Sequence, residues 1–571
     1  MKRLSLRTVS FFGAGDRSGG RDFCRATIRL NQKEKEMDKP ILYQILPRLW
    51  GNTDSPNIPS GTLTENGCGT FRNIDAPTLG YLKNRLGVSH VWYTGILRHA
   101  TGCDVHGCAP SSAQWVKGNA GSPYSVTDYY DVNPYLAEDP ARRMEEFEDL
   151  VRRTHEAGLK VIIDFVPNHV ARDYGRFSDG SRPVFGDGDD TSVHWQPEND
   201  FFYYPGEELR LPVPGNYREC PAKASGNCYS PEPGINDWYD TVKLNYCDSR
   251  TRTWDRALDI LRFWAGKGVD GFRCDMVELV PASLMEWLIS EIKQEWPDIL
   301  FIAEVYQKNL YSRYVQEVGF DYLYDKSGLY DTLHDIVCKQ VRNSGVPVEQ
   351  WQSVRRITWN WQALGDLQPN LLNFLENHDE QRLASDFFAG AGKNALAALH
   401  VSLLLNTAPF MLYFGQEVGE RGMDAEGMSG VDGRTSIFDW WGPAGLSRLY
   451  GYLHGTTELL PEEKALLERY EALLQFAATD PAIRKGDTYD LCYCNLSSDG
   501  FSQDRHFAFL RHYGDETLLI VSNFSDGPAD IDIFVPEHAF EWLSIEQTER
   551  LNVSTPVRVH VGAMDGLIVR L

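Results

Sequence analysis

A closed (β/α)8 barrel of the TIM type, with an inserted small domain after its third strand and a C-terminal antiparallel β-sandwich, is the fold this sequence predicts. Three observations predict it. Short, near-continuously apolar runs recur through residues 41–414, as strands covered on both faces of a parallel sheet do. Segments with apolar residues at helical spacing separate them, the alternation of βαβ units. Past about residue 479, short strands and turns replace the helical spacing. A doubly wound open sheet is the alternative, but no glycine-rich nucleotide turn follows the first strand. The 571 residues exceed an ordinary domain, and a barrel with insertions absorbs much of that length.

Residues 1–37 are polar and rich in Gly and Arg, and read as a disordered tail, with Met37 as an alternative start just before the first ordered pattern. The first barrel part, 38–169, opens with the apolar run 41–47. A loop follows from Gly51 to Gly61, then a helix over 78–87, a second strand over 88–94 and a long loop from Arg98 to Asp131. Asp139 as N-cap and Pro140 in the first turn open a helix with apolar face Met144, Phe147, Leu150 and Val151, which Gly158 closes. A third strand covers 160–166. Over 170–245 the pattern dissolves into Gly, Pro, Asp and aromatic residues, too long for a simple loop and read as an inserted domain. The second barrel part, 246–478, starts with an amphipathic helix on Trp254, Ala257, Leu258, Leu261, Trp264 and Ala265. Strands are expected at 268–275, 299–303, 320–324, 371–375 and 409–414, and helices at 282–294 and 395–405. The C-terminal domain, 479–571, carries strands at 506–510, 517–521, 531–535 and 557–560.

Composition narrows the chemistry. The net charge of −24 argues against nucleic acid and anionic membrane surfaces as partners. No apolar run is long enough to span a membrane, and the basic N-terminus, broken by Arg7, is no secretory signal, so a cytoplasmic location is expected. Aromatic residues make up 12%, a supply of flat faces that stack on sugar rings as readily as they fill cores. The eleven cysteines show no framework and read as free thiols. Cys220 and Cys228 share a loop and are expected unpaired, and Cys103 and Cys108 lack a second ligand pair at zinc spacing.

The stretch 268–275 is an apolar strand that ends in Arg273 and Asp275 on one face. Alone it reads equally as a structural ion pair. In a barrel, however, the active site lies at the C-terminal strand ends, and other polar residues sit there too: Asp164 and Asn168-His169 after the third strand, Glu304 after the fifth, Asn377-His378-Asp379 after the seventh. Three of these acids, Asp275, Glu304 and Asp379, together with the arginine suit glycosidic cleavage, in which one carboxylate attacks the anomeric carbon and another protonates the leaving oxygen. Arg273 would keep Asp275 ionised, and Glu304, at an apolar strand end near other acids, should have a raised pKa. Asp379, His169 and His378 would bind sugar hydroxyls. Tyr306, two residues past Glu304, is a candidate platform for the leaving-group sugar.

Four blocks carry a family resemblance: Asp164-Phe165-Val166-Pro167-Asn168-His169, Gly271-Phe272-Arg273-Cys274-Asp275, Ala303-Glu304-Val305 and Phe374-Leu375-Glu376-Asn377-His378-Asp379, with Leu244-Asn245 as a shorter fifth. In order and spacing the chain resembles the alpha-amylase family of retaining glycoside hydrolases (glycoside hydrolase family 13) over residues 38–571. The resemblance implies Asp275 as nucleophile, Glu304 as general acid/base and Asp379 as transition-state stabiliser. It also implies Arg273, His169 and His378 around the attacked glucose, and Tyr124, in Pro123-Tyr124-Ser125, stacked on it. It further implies a structural calcium at the barrel–insert junction through Asn168, to which Asp187, Asp189 and Asp190, or the loop 52–57, add oxygen donors; no organic cofactor is implied. The chain departs from the common pattern at Glu278-Leu279, where many relatives carry Lys-His. The expected activity is hydrolysis of α-1,4 bonds in starch-type glucans or maltooligosaccharides. Transglycosylation by the same residues and an inert sugar-binding subunit are the alternatives.

Overall fold

The computed structural model describes residues 39–338, 352–428, 430–548 and 551–571. The tail expected over 1–37 lies outside the described residues.

Eight parallel strands close a barrel in chain order. They are β1 (Ile41–Ile45), β2 (His90–Tyr93), β3 (Lys160–Phe165), β4 (Gly271–Cys274), β5 (Leu300–Ala303), β6 (Tyr322–Tyr324), β7 (Leu371–Phe374) and β8 (Phe410–Tyr413). Nearly every residue in them is buried, because helices cover the outer face and side chains fill the inner one. That double burial makes the strands read as unbroken apolar runs.

The covering helices follow the amphipathic patterns. In α1 (Ala76–Asn84) the Asp75 side chain accepts from the Thr78 amide and Pro stands in the first turn, satisfying an orphan donor of the helix start. Asp139 and Pro140 cap a 3-10 turn (Pro140–Arg142), and α2 (Arg143–Glu156) begins after it, burying Phe147, Leu150 and Val151. Helix α3 (Arg252–Gly266) buries Trp254, Ala257, Leu258, Leu261 and Trp264, and Gly268 leaves it at φ +88°, a left-handed conformation that suits glycine. α4 is Ala282–Glu295. The crossover between β5 and β6 is reduced to a single turn, Tyr311–Arg313, running on into a π-helical turn, Tyr314–Val318.

The loop expected from Arg98 to Asp131 instead holds a hairpin, Leu97–His99 against Val126–Val132. Its charges hid it: buried Asp131 interrupts the apolar pattern, and Arg98 and Arg143 neutralise it. Between β3 and β4 there are only short pairings, His169–Ala171 with Thr241–Lys243 and Tyr203–Tyr204 with Ala222–Lys223.

The C-terminal strands form an antiparallel sheet in the order β9 (Asp487–Asp490), β10 (His506–Tyr513), β11 (Glu516–Asn523), β14 (Asp565–Arg570). A two-stranded sheet of β12 (Ala529–Ile533) and β13 (Val557–Val561) accompanies it. Leu510, Leu519, Val521, Ile531, Ile533 and Val559 share a core of their own. The edge strands β9 and β14 and the helix Glu537–Leu543 were not in the sequence pattern.

Candidate active site

The barrel brings the strand-end residues together. The ladder continues one residue past each strand: the Asp275 amide donates to Phe165 O (2.8 Å) and the Glu304 amide to Cys274 O (3.1 Å). Both acids are thus fixed by backbone on neighbouring strands, and both are buried.

Arg273 joins them. It is fully buried, and its Nη1 donates to Asp275 Oδ1 at 2.7 Å. Its Nη2 lies 2.9 Å from Glu304 Oε2, an ion-pair contact off the hydrogen-bond direction. Asp164 Oδ1 stands 3.6 Å from the same guanidinium. The Trp92, Tyr124 and Tyr324 rings surround the cation, with centroids 5.4–5.6 Å away, so its charge is directed at the acids rather than screened by water.

Glu304 is held from two further directions. The Met276 amide donates to Oε2 (2.9 Å) and the Tyr306 hydroxyl to Oε1 (2.6 Å). Met276 itself sits at φ +44°, left-handed backbone that a non-glycine residue adopts only under constraint. Asp379 pairs with His378 Nε2 at 3.1 Å. His378 also meets the Tyr124 hydroxyl at Nε2 (2.5 Å) and the Gln44 amide at Nδ1 (2.9 Å). His169 is buried against the Trp238 ring, 5.4 Å between centroids.

These surroundings separate the acids. Burial pushes the Glu304 carboxyl up to about 7; Arg273 and the Tyr306 hydroxyl oppose the rise, and the Asp275 and Asp379 charges add to it. Burial also raises Asp275, while Arg273 restrains it by charge and hydrogen bond. Burial acts against ionised Asp379 as well, but His378, Arg273 and Arg434 outweigh it and hold the carboxyl down to about 2. Burial lowers the His169 imidazole to about 4. Near neutral pH the set therefore holds a firmly ionised acid, an arginine-paired carboxylate and a third acid able to carry a proton, the division of labour that acid–base chemistry requires.

Asp275, Glu304, Asp379, Tyr124, His169 and Tyr306 line one cleft of about 360 Å3; Arg273 and His378 stand behind it. Tyr306 was expected as a flat platform, and its hydroxyl also reaches the acid. The sequence did not single out the other walls: Lys117, Trp238 and Asp240 on one side and Met428, Ile437 and Phe438 on the other. Asp240 lies 3.1 Å from Lys117. These residues come from irregular segments whose positions only the folded chain discloses. A larger hollow, about 640 Å3, is lined by Leu396, Val418 and Leu466 and by none of the strand-end acids.

The residues at the expected calcium position do not fit a metal ion. Asn168 is buried; its Oδ1 accepts from Lys243 Nζ and its amide donates to Gly226 O (2.9 Å). Lys243 Nζ also donates to Leu279 O at 2.7 Å, so a side-chain nitrogen already takes the oxygens a calcium would need. Two of the other expected donors are engaged as well. Asp189 accepts from the Asp200 amide, the Tyr203 hydroxyl and Arg252, and Asp190 from Ser192. In the loop 52–57, Asn57 Oδ1 accepts from the Gly442 amide at 2.8 Å. Among the described residues no cluster of three His, Cys, Asp or Glu is placed to hold a metal, and Cys103, Cys108, Cys220 and Cys228 are free thiols. Also among them, no helix is long and apolar enough to cross a membrane.

Comparison with known proteins agrees with this architecture. Alpha-amylase 3 of Dictyoglomus thermophilum is 27% identical over 310 residues, 52% of this chain and 54% of that protein. A cyclomaltodextrinase of Geobacillus thermopakistaniensis is 22% identical over 513 residues, 88% of this chain and 71% of its own. The chain spans about half the length of several curated relatives it matches. The crystal structure of an alpha-amylase from H. orenii superposes with TM-score 0.60 at 20% identity, covering 94% of this chain and 99% of that one. The family model for the alpha-amylase catalytic domain matches residues 44–486, and the chain belongs to the alpha-amylase family.

Proposed function

We propose that the protein is a retaining glycoside hydrolase that cleaves α-glucosidic bonds, foremost α-1,4 bonds, of starch-type glucans or maltooligosaccharides. The observation that carries this reading is the sharing of Arg273 between Asp275 and Glu304. It sets a nucleophile and a proton donor on two arms of one guanidinium, in keeping with the short carboxyl separation of double displacement. The relatives are named as an alpha-amylase and a cyclomaltodextrinase, which supports an α-glucan substrate.

In this mechanism an Asp275 oxygen attacks the anomeric carbon as Glu304 gives its proton to the departing glycosidic oxygen. The C–O bond to the leaving sugar breaks and a glycosyl ester forms on Asp275. Glu304, now a carboxylate, takes a proton from water, whose oxygen attacks the same carbon and frees Asp275. Arg273 balances the charge of the acids throughout. Asp379, ionised, binds hydroxyls of the sugar undergoing attack, and Tyr124 and His169 hold the ring in the cleft.

A product profile on maltoheptaose, starch, pullulan and sucrose, with the anomeric configuration followed by NMR, tests the reading. We expect shorter oligosaccharides released as the α-anomer. Products longer than the substrate would assign transfer to a sugar hydroxyl in place of water. Absence of turnover on all four would assign a binding role.

A further inference from the structure

The departure at Glu278 has a structural counterpart. Its Oε2 accepts from the Tyr306 amide at 3.0 Å and its Oε1 from the Gln307 amide at 3.1 Å. These are the second and third residues after Glu304, and the Tyr306 side chain is the one that donates to Glu304 Oε1. Glu278 lies in the 3-10 turn Val277–Leu279, two residues after Met276, whose amide donates to Glu304 Oε2. The turn is itself anchored: Lys243 Nζ donates to Leu279 O (2.7 Å) and the Tyr314 hydroxyl to Val277 O (3.1 Å). One carboxylate thus ties the nucleophile turn to the acid loop through two charge-assisted hydrogen bonds. With both its oxygens committed to backbone amides, Glu278 presents no cation to the leaving-group side of the cleft, and it offers that side a fixed loop instead.

We infer that Glu278 is a positioning residue for general-acid catalysis: by clamping the Tyr306 and Gln307 amides it fixes the Tyr306 hydroxyl, and through it the orientation of Glu304. This deepens the glycosidase reading and rests on it for the kinetic part. A misplaced acid weakens proton donation and leaves nucleophilic attack intact, so the effect depends on how much the leaving group needs a proton.

Glu278→Gln keeps the shape and turns one acceptor into a donor that faces an amide N–H. We expect kcat/KM for maltooligosaccharides, whose sugar leaving group needs protonation, to fall by about tenfold. For α-maltosyl fluoride, whose fluoride leaves without a proton, it stays within about twofold. Equal losses on both substrates would show a general disturbance of the fold, and no loss on either would remove the role; both overturn the inference. A second measurement needs no turnover. Amide hydrogen exchange in the peptide holding Tyr306 and Gln307 is expected to quicken in the variant while exchange in β4 and β5 is unchanged. Unchanged exchange at those two amides overturns the clamp even if the wild-type protein cleaves no α-glucoside, so failure of the clamp and failure of the glycosidase reading are distinguishable.

Discussion

Glu304 is a buried carboxylic acid whose surroundings raise its pKa, and the residues responsible can be named one at a time. Burial pushes its pKa up to about 7, Asp275 and Asp379 add to the rise, and Arg273 and Tyr306 limit it. As a general acid Glu304 works only while protonated, so kcat/KM should fall as pH rises through about 7. Tyr306→Phe removes a hydrogen bond that favours the charged form. The sign follows: Glu304 holds its proton to higher pH, and the alkaline limb of the kcat/KM profile moves up, by roughly one unit for a hydrogen bond of about 1.4 kcal/mol. A limb that stays in place or moves down would contradict the assignment of that limb to Glu304. The acids were legible in the sequence because each follows an apolar strand, and several charges gathered at successive strand ends are costly unless they serve chemistry. The environments that divide them were legible in part: a raised Glu304 and an Arg273 beside Asp275 were expected, and the rest was not. His378 holds Asp379 down to about 2, and Arg273 reaches Asp164 and Glu304 on the two flanking strands as well as Asp275 on its own. The second fact needs β4 to pair with β3 and β5.

The junction between the barrel and the segment after β3 is held by a lysine. Lys243 pairs its strand with His169–Ala171, and its Nζ reaches Asn168 Oδ1 and Leu279 O. It therefore ties the loop that carries His169 to the turn that follows Asp275. Lys243→Met should cost about 1–3 kcal/mol, because it leaves a buried side-chain oxygen and a backbone carbonyl unpaired. A chelator should leave the melting temperature of the wild type unchanged. Thermal unfolding with and without chelator checks both; a fall on chelation that calcium restores would contradict the lysine-held junction. Nothing in Thr241-Val242-Lys243-Leu244 marks this role in the sequence, since a lysine in a short strand reads as a solvated side chain until its partners, 36 and 75 residues away, are known. The hairpin Leu97–His99/Val126–Val132 was hidden for a related reason. Its strand carries Asp131, whose charge disqualifies it by pattern and which the fold accommodates with Arg98 and Arg143.

At the scale of the whole molecule, the architecture was the most legible part. Strands covered on both faces leave unbroken apolar runs, and β1 to β8 fall within the segments so marked. The C-terminal sheet was legible where its strands are buried, in β10 and β11, and less so at edges such as β9, which is only partly buried and spelled Asp487-Thr488-Tyr489-Asp490. Closing the barrel places Asp275 and Glu304 on neighbouring strands at one rim, and the rest of the chain walls the cleft above them. In the proposed mechanism Asp275 forms a covalent bond to the sugar. Mass spectrometry after brief exposure of the Glu304→Gln variant to an α-glucosyl fluoride tests it most directly. The fluoride needs no acid to leave, and the missing base leaves the ester unhydrolysed. A glycosyl adduct on the peptide that contains Asp275 is expected. No adduct, together with release of the β-anomer by the wild type, would contradict it.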